Sequence, residues 1–137
     1  MGKRKRWTDL AAVILVIGMM LPFMGCEGCF SKDKKKAVAL GDSSAPPLVP
    51  SNLDATTEFY NLVELTWTDN SDNETGFAIE RRTGVEPFVQ INTVQADCDF
   101  YLDSIQLEPL TTYSYRVRAY NSGGDRGYSN TASVMTK

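Results

Sequence analysis

The residues of this chain that could carry out chemistry are carboxylates and three cysteines, because its 137 residues include no histidine. This absence excludes Ser-His-Asp triads, Cys-His pairs and histidine-ligated metal sites. A carboxylate pair for glycoside hydrolysis would have to face across a cleft, whereas the acidic residues here are scattered over loops and outward strand positions. We therefore predict that the chain is not an enzyme and uses no cofactor.

One loop is rich in oxygen donors and has the spacing of a calcium site. Asp69, Ser71 and Asn73, with Glu80 at the twelfth position, follow the order of an EF-hand loop. The sixth position is Glu74, where that loop needs glycine, and a strand pattern follows instead of a helix. We interpret the loop as held by its own hydrogen bonds and predict no metal site.

The first cysteine closes an apolar segment that is typical of exported proteins. Basic residues at 3–6 precede an apolar and small-residue run of 16 residues, shorter than the roughly 20 that a membrane-spanning helix needs. The run ends at Gly25-Cys26, which resembles the lipobox of bacterial lipoproteins. The resemblance implies a signal peptide at 1–25, lipid on Cys26 and an extracytoplasmic, membrane-anchored protein of the bacterial cell envelope. Ordinary signal cleavage and an uncleaved anchor are the alternatives.

The other two cysteines lead to different predictions. Cys29 completes a C-x-x-C spacing with Cys26, but no second ligand pair or thioredoxin-like context accompanies it, so we predict a spare thiol. Cys98, Phe100 and Leu102 are alternate residues and would lie on the same face of a strand, which predicts that Cys98 is a buried free thiol without a disulfide to Cys29.

The apolar residues change from even positions in this run to odd positions at 105 and 107. A strand changes face in this way when one residue is inserted, which predicts a β-bulge near 103–104.

Two regions follow the signal peptide. Residues 26–46 combine a lysine cluster with small and turn-forming residues, so we predict a flexible linker with a reach of about 25 Å. Its lysines either contact anionic lipid headgroups or are simply solvated. Residues 47–137 contain six Lys/Arg and thirteen Asp/Glu, and such an acidic domain is a poor partner for nucleic acid.

Short alternating runs about ten residues apart predict an all-β sandwich of seven strands over 47–137. The run over 67–81 resembles strands B and C of bacterial fibronectin type III domains, and the run over 107–121 resembles their E–F corner and strand F. The resemblance implies that Trp67 is the core tryptophan and that Tyr113 is the corner tyrosine, with its hydroxyl bonded to the preceding loop. Phe77 and Ile79 are predicted core residues. Leu110 stands where that family usually has glycine.

Antiparallel reversals predict which loops lie away from the linker: the turns at 56–61 and 83–87, the E–F corner and the C-terminus. Tyr60 is predicted on the outer face, next to Phe59. Exposed aromatic rings are favoured interface anchors, so we predict that both contact a partner. The alternative is that the two rings only cap the core.

The outward face of strands C and F carries Arg116 and Arg118 beside Glu80 and Arg82. We interpret this face as a charge ladder on solvent, with a binding face as the alternative. The function that these observations favour is a monomeric, membrane-tethered binding or spacer module for a protein or glycan partner. The alternative is an accessory subunit that positions an enzyme or a secretion component in a larger exported assembly.

Overall fold

A computed structural model describes residues 44–137, so the predicted signal peptide, Cys26, Cys29 and most of the predicted linker lie outside the described residues. The described part contains seven strands: β1 (Ser51–Phe59), β2 (Leu62–Thr68), β3 (Gly76–Thr83), β4 (Val89–Gln95), β5 (Phe100–Asp103), β6 (Thr112–Tyr120) and β7 (Ala132–Met135). No helix long and apolar enough to cross a membrane occurs within 44–137.

The strands form two antiparallel sheets that pack face to face, with the order β1-β2-β5 in one and β4-β3-β6-β7 in the other. Alternation in β2 gives it one buried face, because Val63, Leu65 and Trp67 point inward and the intervening residues are exposed. Phe77 and Ile79 of β3 are fully buried in the opposite sheet. The Trp67 and Phe77 ring centroids lie 5.5 Å apart. The predicted all-β sandwich of seven strands is confirmed.

The predicted bulge near 103–104 is wrong, because the pairing of β5 with β2 runs without a register shift from Phe100 to Asp103. Odd positions of β5 face the core: Tyr101 and Asp103 are buried, whereas Leu102 is exposed. The prediction assumed that the apolar residues of this run face the core, but a buried carboxylate, Asp103, occupies an inward position instead.

An irregularity of the predicted kind occurs instead in β4. Consecutive residues Ile79 and Glu80 of β3 pair with Asn92 and Gln90. Ile91 is therefore the extra residue, and the strand changes face around it. This shift lets Ile91 and Val94 both pack on the core although their spacing does not fit simple alternation.

Cys98 is buried against the core, but it is not the free thiol that we predicted, because it is disulfide-bonded. Its partner lies outside the described residues. Cys98 precedes β5 at the end of the sandwich where residue 44 enters, so it lies within reach of the chain that leads into the domain. Small size and burial alone do not distinguish a cysteine that packs as a thiol from one that packs as a disulfide.

Contacts of the domain begin a few residues before the predicted boundary at 47. The Ala45 carbonyl accepts hydrogen bonds from the side-chain amides of Asn73 (3.0 Å) and Asn121 (2.8 Å). A Cβ atom at position 123 would lie 2.0 Å from the Ser44 carbonyl oxygen, so this approach requires Gly123. Residues 44–46 are therefore held against the loops that follow β2 and β6.

Candidate interaction site

The two ends of the sandwich differ in the side chains that they expose. We call distal the end formed by the β1–β2, β3–β4 and β5–β6 connections and the C-terminus (59–62, 83–89, 103–112 and 135–137), and proximal the end where residue 44 enters. Among the described residues, ten large hydrophobic side chains are exposed. Seven of them belong to the distal end: Phe59, Tyr60, Val85, Val89, Ile105, Leu110 and Met135.

The β1–β2 turn presents the two aromatic residues that the sequence singled out. Phe59 is 57% exposed and Tyr60 is 52% exposed, so neither ring is buried as a cap on the core. Thr57 fixes the turn, because its hydroxyl lies 2.5 Å from the Phe59 carbonyl and 2.6 Å from the Leu62 carbonyl. The backbone of this turn is therefore ordered before any contact with a partner.

Leu110 is the most unusual residue of the distal end. It follows Pro109 in a turn, has a φ of 51° and is 76% exposed. A left-handed backbone costs a residue with a Cβ roughly 1–2 kcal/mol, and glycine or asparagine normally occupies this position of such a turn. A strained, bulky apolar side chain kept in solvent is an observation that points to function.

The loop that carries Leu110 is rigid. The Tyr113 hydroxyl accepts a hydrogen bond from the Glu108 amide (2.9 Å), which is the corner contact that the resemblance implied. Thr136 is fully buried, and its hydroxyl bonds the Glu108 carbonyl at 2.6 Å and the Thr111 amide at 3.0 Å. Thr136 therefore fixes the backbone of the corner through these hydrogen bonds.

A buried ion pair supports the distal end from inside the sandwich. Asp103 is fully buried and accepts hydrogen bonds from Arg81 (2.8 Å) and from the Tyr115 hydroxyl (2.9 Å). Arg81 also donates to the Ile105 carbonyl at 2.7 Å, and the Ile105 amide donates to Asp103. The network ties the end of β5 to β3 and β6, and so joins the two sheets.

This network changes two ionisation equilibria. Burial raises the pKa of the Tyr115 hydroxyl far above its usual range, and the negative charge of Asp103 raises it further. Burial alone would lower the pKa of Arg81, but the hydrogen bond and charge of Asp103 outweigh it, so the pKa of Arg81 is raised. Arg81 therefore stays charged and Tyr115 stays neutral across the physiological pH range.

The outer face of β3 and β6 is a covered cluster and not a ladder open to solvent. Glu80 is only 6% exposed, because Arg116 donates to its Oε2 at 2.8 and 2.6 Å while the Tyr128 hydroxyl donates to its Oε1 at 2.9 Å. The Arg116 guanidinium also stacks on two rings, at 3.5 Å from the Tyr128 centroid and 4.3 Å from that of Phe88. These groups satisfy one another, so the face offers few free polar groups to a partner.

Comparisons with known proteins agree with this geometry. The model of the family described as the fibronectin type III domain matches residues 48–135. The chain belongs to this family. Fibronectin type III is a non-catalytic fold, and its domains typically serve as spacers or binding modules.

Three similar proteins differ in how much of their length this chain matches. An alpha-amylase of Niallia circulans is 38% identical over 101 residues, which are 72% of this chain and 7% of the amylase. A crystal structure of domains from titin superposes with a TM-score of 0.60 and 26% identity, over 67% of this chain and 32% of that one. A Fn3-like protein from Clostridium thermocellum superposes with a TM-score of 0.56 and 24% identity, over 68% of this chain and 96% of that one.

Sequence reasoning located Phe59 and Tyr60 at the distal end and missed the rest of the apolar set there. Val85, Ile105 and Leu110 belong to loops, where no periodicity shows which side chains are exposed. The one sequence feature that could have indicated this set is Leu110, which stands where the family usually has glycine. The fibronectin type III core residues Trp67, Phe77, Ile79 and Tyr113 are all buried.

Proposed function

We propose that this protein is a binding module, held outside the cytoplasm by lipid on Cys26, whose distal end contacts a protein or glycan partner. The observation that carries the proposal is the concentration of exposed apolar side chains at the distal end, on loops fixed by internal hydrogen bonds. Exposed apolar groups gathered in this way mark interaction sites on soluble domains. The chain itself has no catalytic activity in this proposal, in keeping with its non-catalytic fold.

Rigidity of the distal loops favours affinity. Binding costs free energy for every side chain and loop that becomes ordered. The Thr57 and Thr136 hydroxyls have already ordered the Phe59 turn and the Leu110 corner. A partner that covers these side chains therefore gains apolar burial at about 25 cal/mol per Å² with little ordering cost.

Attachment at the proximal end directs the distal end away from the membrane. Ala45, which precedes the first strand, contacts the loops that follow β2 and β6 at the proximal end. A linker with a reach of about 25 Å keeps the proximal end near the bilayer. The distal end is then the part of the domain that is most accessible to a partner.

A second candidate function is that of an accessory subunit that positions an enzyme in a larger exported assembly. The similarity to the amylase supports it, because a protein named for an enzymatic activity matches this chain over only 7% of its own, much longer length. In this case the partner is an enzyme or another envelope component, and the same distal end makes the contact.

Binding by the full-length protein, extracted from its native membrane in mild detergent, tests the proposal. A stoichiometric co-purifying protein supports the accessory function, whereas sedimentation with insoluble starch or another glycan supports direct glycan recognition. We expect Tyr60→Ala to weaken either contact at least about tenfold, as for an interface anchor worth about 1.4 kcal/mol or more. Its unfolding midpoint should stay nearly unchanged because the ring is exposed.

Leu48→Ala is the matched control, because Leu48 is 54% exposed at the proximal end. It should leave binding unchanged. If Tyr60→Ala binds like the unmodified protein, or if it unfolds like a core variant, the distal end is not the contact surface.

The anchor is tested separately by metabolic labelling with a fatty-acid analogue. The unmodified protein and Cys29→Ala should both incorporate label, and Cys26→Ala should not. Label that persists in Cys26→Ala would exclude the proposed attachment site.

A further inference from the structure

Three carboxylates converge at the proximal end, and the site described above does not use them. Asp69 and Glu74 belong to the loop between β2 and β3, and Asp97 belongs to the turn between β4 and β5. One carboxylate oxygen from each residue lies within 4.8 Å of the other two. Two separate connections of the sandwich therefore bring three acidic groups to one point.

This set differs from the EF-hand spacing in the same loop. The Ser71 hydroxyl accepts a hydrogen bond from the Leu48 amide (2.7 Å), and the Asn73 side chain donates to Ala45. Glu80 lies on the outer face of β3, where it pairs with Arg116. These residues are engaged elsewhere, and the convergence of Asp97 with the loop appears only in the folded chain.

Glu74 brings to this cluster a buried carboxylate oxygen without a hydrogen-bond donor in the described part of the chain. Its side chain is only 8% exposed. Its Oε1 accepts a hydrogen bond from the Asp97 amide (2.9 Å), while its buried Oε2 has no hydrogen-bond partner among the described residues. An enclosed carboxylate oxygen without a donor, beside two more carboxylates, is unfavourable unless a cation joins it.

We propose that Asp69, Glu74 and Asp97 bind one Ca²⁺ ion. Calcium takes six to eight oxygen ligands in an adaptable geometry, so three carboxylates from two loops, completed by backbone carbonyls and water, suit it better than they suit Mg²⁺. Zinc would favour histidine or thiolate, and the chain has no histidine while Cys98 is disulfide-bonded. The ion clamps the β2–β3 loop to the β4–β5 turn.

The exposure of the ligands indicates how tightly this site would bind Ca²⁺. Asp97 is exposed and sits at a positive φ of 62°, so one side of the site is open to water. Such a site belongs with the calcium sites of extracellular modules, with dissociation constants of about 10⁻⁴ to 10⁻³ M. The proposal does not depend on what the distal end binds.

Thermal unfolding of the chelator-treated full-length protein tests the proposal. We expect the midpoint to rise by about 7 °C at a tenfold excess of Ca²⁺ over the dissociation constant, and to change little with Mg²⁺ at equal ionic strength. Terbium luminescence sensitised by Trp67, two residues before Asp69, should appear on binding of Tb³⁺ and be displaced by Ca²⁺.

Glu74→Gln keeps the shape of the side chain and should abolish both responses, and Asp97→Asn at the exposed position should weaken them. Glu86→Gln, an exposed acid at the distal end, should respond like the unmodified protein. Equal responses to Ca²⁺ and Mg²⁺, or a Ca²⁺ response that survives in folded Glu74→Gln, would overturn the proposal. A midpoint that does not change with Ca²⁺ would overturn it too.

Discussion

At the scale of single residues, the domain differs from a generic β-sandwich at two energetically costly positions, and both lie at or near the distal end. Leu110 combines backbone strain with exposure at the distal end. Asp103 combines a buried charge with a position directly beneath that end. Each departure stabilises or shapes the same part of the molecule, and each leads to a measurable expectation.

Replacing Leu110 with glycine separates stability from binding. Glycine adopts a positive φ without strain, so Leu110→Gly should raise the free energy of unfolding by up to about 1 kcal/mol in a denaturant titration. The same change removes an exposed apolar side chain and should weaken partner binding. Leu48→Gly, at a residue without a positive φ, should instead lower stability. A loss of stability in Leu110→Gly would show that the side chain packs on the corner.

The Tyr115 hydroxyl predicts the alkaline limit of the fold. Because its folded pKa is raised, the stabilisation is complete below the unfolded tyrosine pKa of about 10 and is lost progressively as the pH rises above it. Unfolding titrations across this range should show stability falling steeply in the unmodified protein and less steeply in Tyr115→Phe. Parallel profiles for the two proteins would contradict the buried assignment.

At the scale of elements, alternation identified the core-facing residues of β2, β3 and β6, although Ala78 and Glu80 on the other face of β3 are buried as well. It failed in β5, where the inward positions are Tyr101 and Asp103 and the apolar Leu102 faces out. Hydrophobicity cannot identify a buried carboxylate whose compensating partner, Arg81, is 22 residues away in sequence. The same limit applies to the three converging acids and to Leu110, since their positions depend on how loops meet.

The docking of residues 44–46 depends on one glycine. Because a Cβ atom at position 123 would lie 2.0 Å from the Ser44 carbonyl oxygen, Gly123→Ala should displace this segment from the loop. We expect faster protease cleavage near residue 45 and a loss of about 1–3 kcal/mol in unfolding free energy. Gly84→Ala meets no neighbouring atom but has a φ of +56°, so it should cost only about 1 kcal/mol and leave the cleavage rate unchanged. Unchanged cleavage in Gly123→Ala would contradict the docking.

At the scale of the whole molecule, the three cysteines relate the anchor to the domain. Cys98 is disulfide-bonded and the chain has two other cysteines. If Cys26 carries lipid, as we propose, Cys29 is the remaining partner of Cys98.

Thiol counting tests this assignment. The mature protein, denatured without reductant, should react with no thiol reagent, and two cysteines should react after reduction. Cys29→Ser should expose Cys98 as a single free thiol and lower stability by about 2–4 kcal/mol. A free thiol in the unreduced mature protein would contradict the pairing.

Core and surface aromatics should respond differently across the molecule. Trp67→Ala empties a site that is 5% exposed in the centre of the core and should cost about 3–5 kcal/mol, enough to unfold much of the protein. Circular dichroism and thermal melts of this variant beside Tyr60→Ala check the contrast. Comparable losses in both variants would show that Tyr60 also belongs to the core.

The most direct test of the central claim is site-specific photo-crosslinking in living cells that produce the full chain. A photoreactive residue in place of Tyr60 at the distal end should give a discrete adduct with a partner, and the same residue in place of Leu48 at the proximal end should not. Adducts of equal yield at both positions, or an adduct at position 48 alone, would contradict binding through the distal end.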